Sequence, residues 1–265
     1  MNRPLTPVVK HLLIINGIFY VAMLLMEASG IDLTSIFGLH FFASPYFKPY
    51  QFLTYMFMHG SLTHLLFNMF ALWMFGVTLE YVWGGRRFLV YYLVTGIGAA
   101  LLHTAVQYAI LHGMLVDLKA FANTPAPDTY YAFIEAHVHH PSRAVYDFYN
   151  LWASTPNDTS MATQAVRQLQ EYVQYQVNIP TVGASGAVFG LLLAFGMLFP
   201  NAELMLLFPP IPMRAKWFVM IYGAVELVLG IAQPGSSVAH IAHVGGMLFG
   251  FLLIRYWQRD RSRFY

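Results

Sequence analysis

Val182-Gly-Ala-Ser-Gly-Ala-Val-Phe-Gly-Leu-Leu-Leu-Ala-Phe-Gly-Met-Leu-Phe199 carries no charged side chain, and its one polar side chain is the hydroxyl of Ser185. A helix that crosses a hydrocarbon core of about 30 Å needs roughly 20 such residues. In lipid, backbone groups must be satisfied within the segment, so a spanning run of this kind is a helix. Five further runs read the same way: His11–Glu27, Gln51–Val77, Phe88–His112, Trp217–Ile231 and Val238–Tyr256. The alternation of a membrane barrel is absent. The expected fold is an all-α integral membrane protein, a bundle of six transmembrane helices.

The totals agree. Of 265 residues, 58% are hydrophobic and only 10% charged, with a mean hydropathy of +0.54. Soluble domains carry about a quarter charged residues, so a soluble fold is excluded. With no cysteine, neither a disulfide framework nor a thiolate metal site can form. A net charge of +2 is too small to suggest nucleic-acid binding. The placement of Lys and Arg says more. Arg3 and Lys10, Arg86 and Arg87, Arg214 and Lys216, and Arg255, Arg259, Arg261 and Arg263 all fall on one side of a six-span chain. Lys48, Lys119, Arg143 and Arg167 fall on the other. The positive-inside rule then puts both termini in the cytoplasm. The first run, with its basic start and Ala28-Ser29-Gly30, also fits a signal peptide; its removal would leave five spans with the same orientation.

One segment is of another character. Residues 113–180 hold six of the twelve acidic residues and the turn signals Asn123-Thr-Pro-Ala-Pro-Asp128 and Thr155-Pro-Asn-Asp158. Ala162, Val166, Leu169, Val173 and Val177 recur at helical spacing behind Asp158 and Thr159 as caps. The expected organisation is therefore spans one to three in 1–112, a partly helical non-cytoplasmic insertion in 113–180, and spans four to six with a basic tail in 181–265.

Polar groups inside spans are costly and mark function. They are His59, His64 and Asn68 on span two, Ser185 on span four, and His240 and His243 on span six, all toward the non-cytoplasmic part of spans running the same way. They converge at one depth, near the non-cytoplasmic face. Gly186 and Gly190, and Gly246 and Gly250, form GxxxG pairs that let helices pack closely and would bring spans four and six together. Histidine suits the task of taking a serine's proton near neutral pH. Each feature has a plainer reading. Ser185 alone is a packing serine, and GxxxG is common in membrane helices. His240 and His243 with His59 and His64 make an alternative metal set. His137, His139 and His140 read as a solvated loop cluster. Glu226 reads as a hydrogen-bonded structural carboxyl or part of a gate, and Glu80 as an ion-pair partner of Arg86 or Arg87. The conjunction on three parallel helices favours Ser185 as a nucleophile.

His59-Gly-Ser-Leu-Thr-His64-Leu-Leu-Phe-Asn68 resembles the HxxxxHxxxN pattern of the rhomboid intramembrane proteases. Gly183-Ala-Ser-Gly186 is similar to their nucleophile motif, and Ala242-His-Val-Gly-Gly246 with Gly250 to their AHxxGxxxG helix. The resemblance implies a catalytic Ser185–His243 dyad without a carboxylate. It implies oxyanion stabilisation by His59, Asn68 and the Ser185 backbone N–H, with His64, Gly183 and Gly186 supporting. Phe189, a turn below Ser185, matches an aromatic that stacks beneath the imidazole. The glycines after it select His243 over His240, which reads as a rim residue. The Trp-Arg pair that many relatives carry in the first extracellular loop is absent between Ala28 and Tyr50, and 113–180 lies outside the basic family pattern.

The implied activity is that of a serine endopeptidase hydrolysing peptide bonds in or near transmembrane helices. Its partners are transmembrane protein substrates and the bilayer, with no cofactor, no metal and no nucleic acid. A metal enzyme would want an HExxH-type motif, which is absent. With no Arg- and Ser-rich leader, the expected location is a bacterial inner membrane.

Overall fold

The structure, a computed structural model, describes residues 4–205, 211–232 and 239–259. It is mostly helical and divides into two compact units. The first takes in Met1–Phe42, Tyr46–Ala105 and Pro180–Tyr265, and the second Ala43–Pro45 and Val106–Ile179. In chain order the helices are α1 (Pro7–Glu27), α2 (Leu33–Phe37), α3 (Gln51–Thr54), α4 (Leu62–Trp83), α5 (Gly85–Asn123), α6 (Pro127–His137), α7 (Arg143–Ser154), α8 (Thr159–Asn178), α9 (Ser185–Leu198), α10 (Ala215–Ala232) and α11 (His240–Arg259). Strands β1 (Glu203–Met205) and β2 (Pro212–Arg214) pair antiparallel, with Leu204 opposite Met213.

Among the described residues four helices, α1, α4, α5 and α10, are long and apolar enough to cross a membrane. The outer faces of α1 and α10 expose Ile14, Ile18, Leu25, Met220, Val228 and Ile231, side chains that lipid accepts and water does not. The other two expected spans differ. Helix α9 has only 14 residues, and α11 interrupts its apolar run with His240, His243, Arg255 and Gln258. Helix α9 is apolar all round and exposes none of its residues: Gly186, Val188, Gly190, Leu191, Ala194 and others are buried, while Phe189, Leu193 and Met197 form a half-buried stripe. That all-round apolarity is what a central helix needs.

Two span boundaries move. Span two does not begin at Gln51. Gln51–Thr54 and a 3₁₀ turn at Tyr55–Phe57 come first, and the long helix starts at Leu62. The break is a cap: Ser61 accepts a hydrogen bond from the His64 N–H at 3.1 Å, so His59 lies in the connecting loop rather than on the helix. Span three does not end at His112. Gly113 meets nothing that a side chain would hit, and Leu111, Met114 and Phe121 continue a buried helical stripe to Asn123.

Glu80 was expected to pair with Arg86 or Arg87. Instead its two carboxylate oxygens accept from the Val8 and Val9 N–H groups at 2.9 and 2.8 Å. These are among the orphan donors at the start of α1, and the helix dipole favours negative charge there. This ties α1 to α4, with Val9, Leu12 and Asn16 as its buried stripe. At the α4–α5 turn, Gly84 has φ +76°, a conformation that side chains resist.

In the first loop, Gln51 is an organiser. Its amide donates to the Ile36 and Tyr46 carbonyls and its oxygen accepts from the His40 and Lys48 N–H groups. In the second unit, Trp152 sits fully buried with the rings of Phe121, Tyr130 and Phe148 around it. Helix α8 starts at Asp158, which accepts from the Ser160 and Met161 N–H groups. Its buried stripe is Ala165, Leu169, Val173 and Val177. His137 is bound to Asp117 at 2.7 Å, while His139 and His140 are exposed.

Candidate active site

Close packing of α9 and α11 comes first. A Cβ placed on Gly246 would strike the backbone of Gly186, including its carbonyl oxygen. The second glycine of each pair makes room for α5: Gly190 faces Thr95, and Gly250 faces Tyr91 and Thr95. Tyr91 donates its hydroxyl to the Gly190 carbonyl at 2.8 Å. The GxxxG pairs thus serve two contacts, one helix to helix and one to a third helix.

At the end of that seam the Ser185 Oγ lies 2.8 Å from His243 Nε2. Ser185 is the first residue of α9, so its backbone N–H has no intrahelical partner and the positive end of the helix dipole faces it. The Phe189 ring stacks on the His243 imidazole, with centroids 4.2 Å apart and planes 6° from parallel. The other imidazole nitrogen is also engaged: His243 Nδ1 is 2.8 Å from Glu226 Oε2 on α10. A dyad without a carboxylate is therefore not what the geometry contains. His240 is not a rim residue either. It is buried, and its Nδ1 lies 2.7 Å from the same Oε2.

The loop entering Ser185 is held from three sides. Leu39 and Thr181 exchange two backbone hydrogen bonds, at 2.9 and 2.8 Å. Thr181 Oγ1 meets His103 Nε2 at 2.9 Å. The Gly183 N–H donates to the Tyr55 carbonyl at 2.9 Å, and the Tyr55 hydroxyl donates to Gly96 at 2.7 Å. Gly183 has φ +124°, and a Cβ there would fall 2.7 Å from the His64 ring and 3.7 Å from Ser185 Oγ. Without that side chain, His64 and Ser185 border the same small space. His59 packs edge-on to His64, with centroids 5.1 Å apart. Asn68 lies one turn below His64 on α4, the spacing that puts both on one face. The Asn68 Nδ2 is buried without a hydrogen-bond partner. Buried polar groups are almost always paired, so this amide has the capacity to donate to a further acceptor.

Thr181, Tyr55, His103 and Glu226 carry this site without having been read as part of it. Only Glu226 gave a signal: a carboxylate in an apolar helix must have a partner. Among the described residues, one group has metal-ligand spacing: Glu226, His240 and His243 offer atoms within 4.8 Å of one another. His59 and His64 are outside it. The contacts of 2.7 and 2.8 Å inside this group are hydrogen-bond lengths.

The profile of the Rhomboid domain matches residues 46–114 and 148–259, more than half of the chain. The chain belongs to the rhomboid family. It is 28% identical over 211 residues to a mitochondrial rhomboid protein of Schizosaccharomyces pombe, itself described as uncharacterized, covering 77% of this chain and 50% of that protein. It is 34% identical over 88 residues to the mitochondrial Rhomboid protein 1 of Saccharomyces cerevisiae, covering 32% and 25%. It is 42% identical over 53 residues to the rhomboid protease AarA of Providencia stuartii, covering 20% and 19%. The chain spans half or less of the length of these relatives. As a rhomboid with, among the described residues, four helices long and apolar enough to cross a membrane, it is an integral membrane protein. Two of the three relatives are mitochondrial, so the expected bacterial inner membrane gains no support. Between its first and last matched residues the profile leaves out 115–147, and 1–45 and 260–265 lie beyond its ends.

Proposed function

We propose that this rhomboid is a serine endopeptidase that cuts peptide bonds in or near transmembrane helices of other membrane proteins. The observation that carries the reading is the 2.8 Å contact of Ser185 Oγ with His243 Nε2 at the N-terminus of a buried helix. Ser185 Oγ attacks the scissile carbonyl carbon while its proton passes to Nε2. The carbonyl oxygen becomes an oxyanion, which the Ser185 N–H, the His59 ring and the unpaired Asn68 Nδ2 would stabilise. Collapse breaks the C–N bond, and the leaving amine takes the proton from Nε2. Water then hydrolyses the acyl-enzyme by the same steps in reverse order. A family profile and a relative named as a protease support the chemistry.

Depth supports the substrate class. Fourteen residues of α9 rise about 21 Å at ~1.5 Å each, short of a ~30 Å core, so a chain that reaches Ser185 reaches below the membrane surface. A helical substrate must unwind to offer its carbonyl, which Gly or Pro eases. The basic residues support both termini on the cytoplasmic side, with cleavage near the opposite face. The test is cleavage of a transmembrane reporter in liposomes. Parent protein should cut beside a small residue, while Ser185→Ala and His243→Ala should not cut. Cleavage that survives Ser185→Ala refutes the reading.

A further inference from the structure

We propose that Glu226 is a positioning residue for His243, so that α10 supplies the third member of a Ser185–His243–Glu226 array and His240 fixes its carboxylate. The inference rests on the peptidase reading above and deepens it.

Helix α10 is largely lipid-facing, and Glu226 is its one acidic residue, 7% exposed. A carboxylate in such surroundings persists only when hydrogen-bonded. Its partner is the catalytic imidazole, on the nitrogen opposite the serine: Oε2 to Nδ1 is 2.8 Å, and Nε2 to Oγ is 2.8 Å. The consequence is chemical. A carboxylate oxygen can only accept, so Nδ1 carries the proton and Nε2 keeps its lone pair toward the serine hydroxyl. The other neutral tautomer would donate to Oγ and could not take its proton.

Orientation needs the same contact. Stacking on Phe189 holds the plane of the ring but leaves it free to turn within that plane. The Nδ1–H bond to Glu226 removes this freedom. Glu226 is held in turn by His240, three residues before His243 on α11, through a second Nδ1 contact of 2.7 Å to the same oxygen. Tyr222, one turn before Glu226, packs against Phe189 with centroids 5.9 Å apart. Helix α10 therefore grips the imidazole assembly at two points. During acylation the Oγ proton stops on Nε2 and leaves with the amine. Glu226 stays charged and faces the imidazolium while it exists, favouring the state in which charge has developed.

The test separates positioning from a mere tether between α10 and α11. Full-length parent, Glu226→Gln and Glu226→Ala are each titrated with a fluorophosphonate to count competent sites, and kcat and KM are then measured per titrated site. The expected result is a parental number of sites, kcat per site lowered roughly tenfold in Glu226→Gln and roughly 100-fold in Glu226→Ala, and little change in KM. These losses are smaller than the ~10⁴-fold known for a triad aspartate replaced by asparagine, because stacking on Phe189 still holds the ring. Glu226→Asp should recover part of the alanine loss. Fewer sites with parental kcat per remaining site, or parental kcat in Glu226→Gln, would overturn the proposal. So would zinc bound one to one in the parent, with activity lost to a chelator and restored by zinc, since the three side chains would then be ligands. A parent that neither labels nor cleaves refutes the peptidase reading itself, and this inference with it.

Discussion

Replacing Gly246 by alanine tests how the helix packing sets the chemistry. The new Cβ would lie 2.7 Å from the Gly186 carbonyl carbon and 3.2 Å from its Cα, with the carbonyl oxygen nearer still. Carbon atoms rest at about 3.5–4.0 Å, and neither partner is a flexible side chain. Helix α11 must therefore recede from α9 by about 1 Å. His243 sits three residues before Gly246 and travels with it. The contact of 2.8 Å between Ser185 and His243 then stretches to beyond about 3.6 Å, where it ceases to be a hydrogen bond. A misplacement of about 1 Å is worth roughly 100-fold in rate, and overpacking costs about 1–3 kcal/mol of stability. The assay is reporter turnover per fluorophosphonate-titrated site, alongside thermal unfolding in detergent. Gly17→Ala is the control, since nothing lies within 4 Å of its Cβ position, and it should keep parental turnover. Parental turnover per site in Gly246→Ala would refute the argument that glycine packing holds the catalytic distance.

Asn68→Ala should lower turnover roughly ten- to a thousand-fold, the scale of one lost oxyanion donor, as read in the same reporter assay; full turnover would remove Asn68 from the mechanism. Glu80→Ala strands the Val8 and Val9 N–H groups. At about 1–3 kcal/mol for each orphaned donor, it should destabilise the bundle by about 2–4 kcal/mol and expose α1 to protease, while Glu80→Gln, which keeps an acceptor, should lose less. Asp158 is held below the usual carboxylate range by hydrogen bonds from the Ser160 side chain and the Ser160 and Met161 N–H groups. A depressed carboxylate stabilises above its unfolded pKa of about 3.9 and loses that contribution as pH falls through the folded value. The first turn of α8 should accordingly gain amide-exchange rate below about pH 4, and Asp158→Asn should abolish that pH dependence. Deleting 115–147, the internal stretch that the family profile leaves out, tests whether this segment selects substrates. If it does, reporter cleavage should change far more than fluorophosphonate labelling.

What the sequence made legible was local. Ser185, His243 and the glycines stand in short motifs whose spacing follows from one helix, and the structure brings them into contact. Phe189 falls one turn from Ser185 for the same reason. The misreadings concern partners on other elements. Glu226 could be seen to need a partner, but nothing in its own helix points to His240 and His243, seventeen residues or fewer away across a connection. His240 looked peripheral because depth was judged along α11 alone, whereas the neighbouring α10 buries it. Glu80 was assigned to the arginines beside it in sequence, although the stronger claim came from bare N–H groups at the start of α1. The break in span two carried a readable signal in Gly60-Ser61, obscured by the continuous apolarity around it. The overrun of α5 past Gly113 was hidden because hydropathy falls there while helical periodicity does not.

The central claim is that Ser185 is a nucleophile activated by His243. It is tested most directly by intact-mass and peptide mass spectrometry after reaction with a fluorophosphonate. The account predicts one phosphonyl adduct per chain, mapped to Ser185, absent in Ser185→Ala and formed far more slowly in His243→Ala. An adduct on any other residue, or labelling of Ser185 at the parental rate without His243, would contradict it.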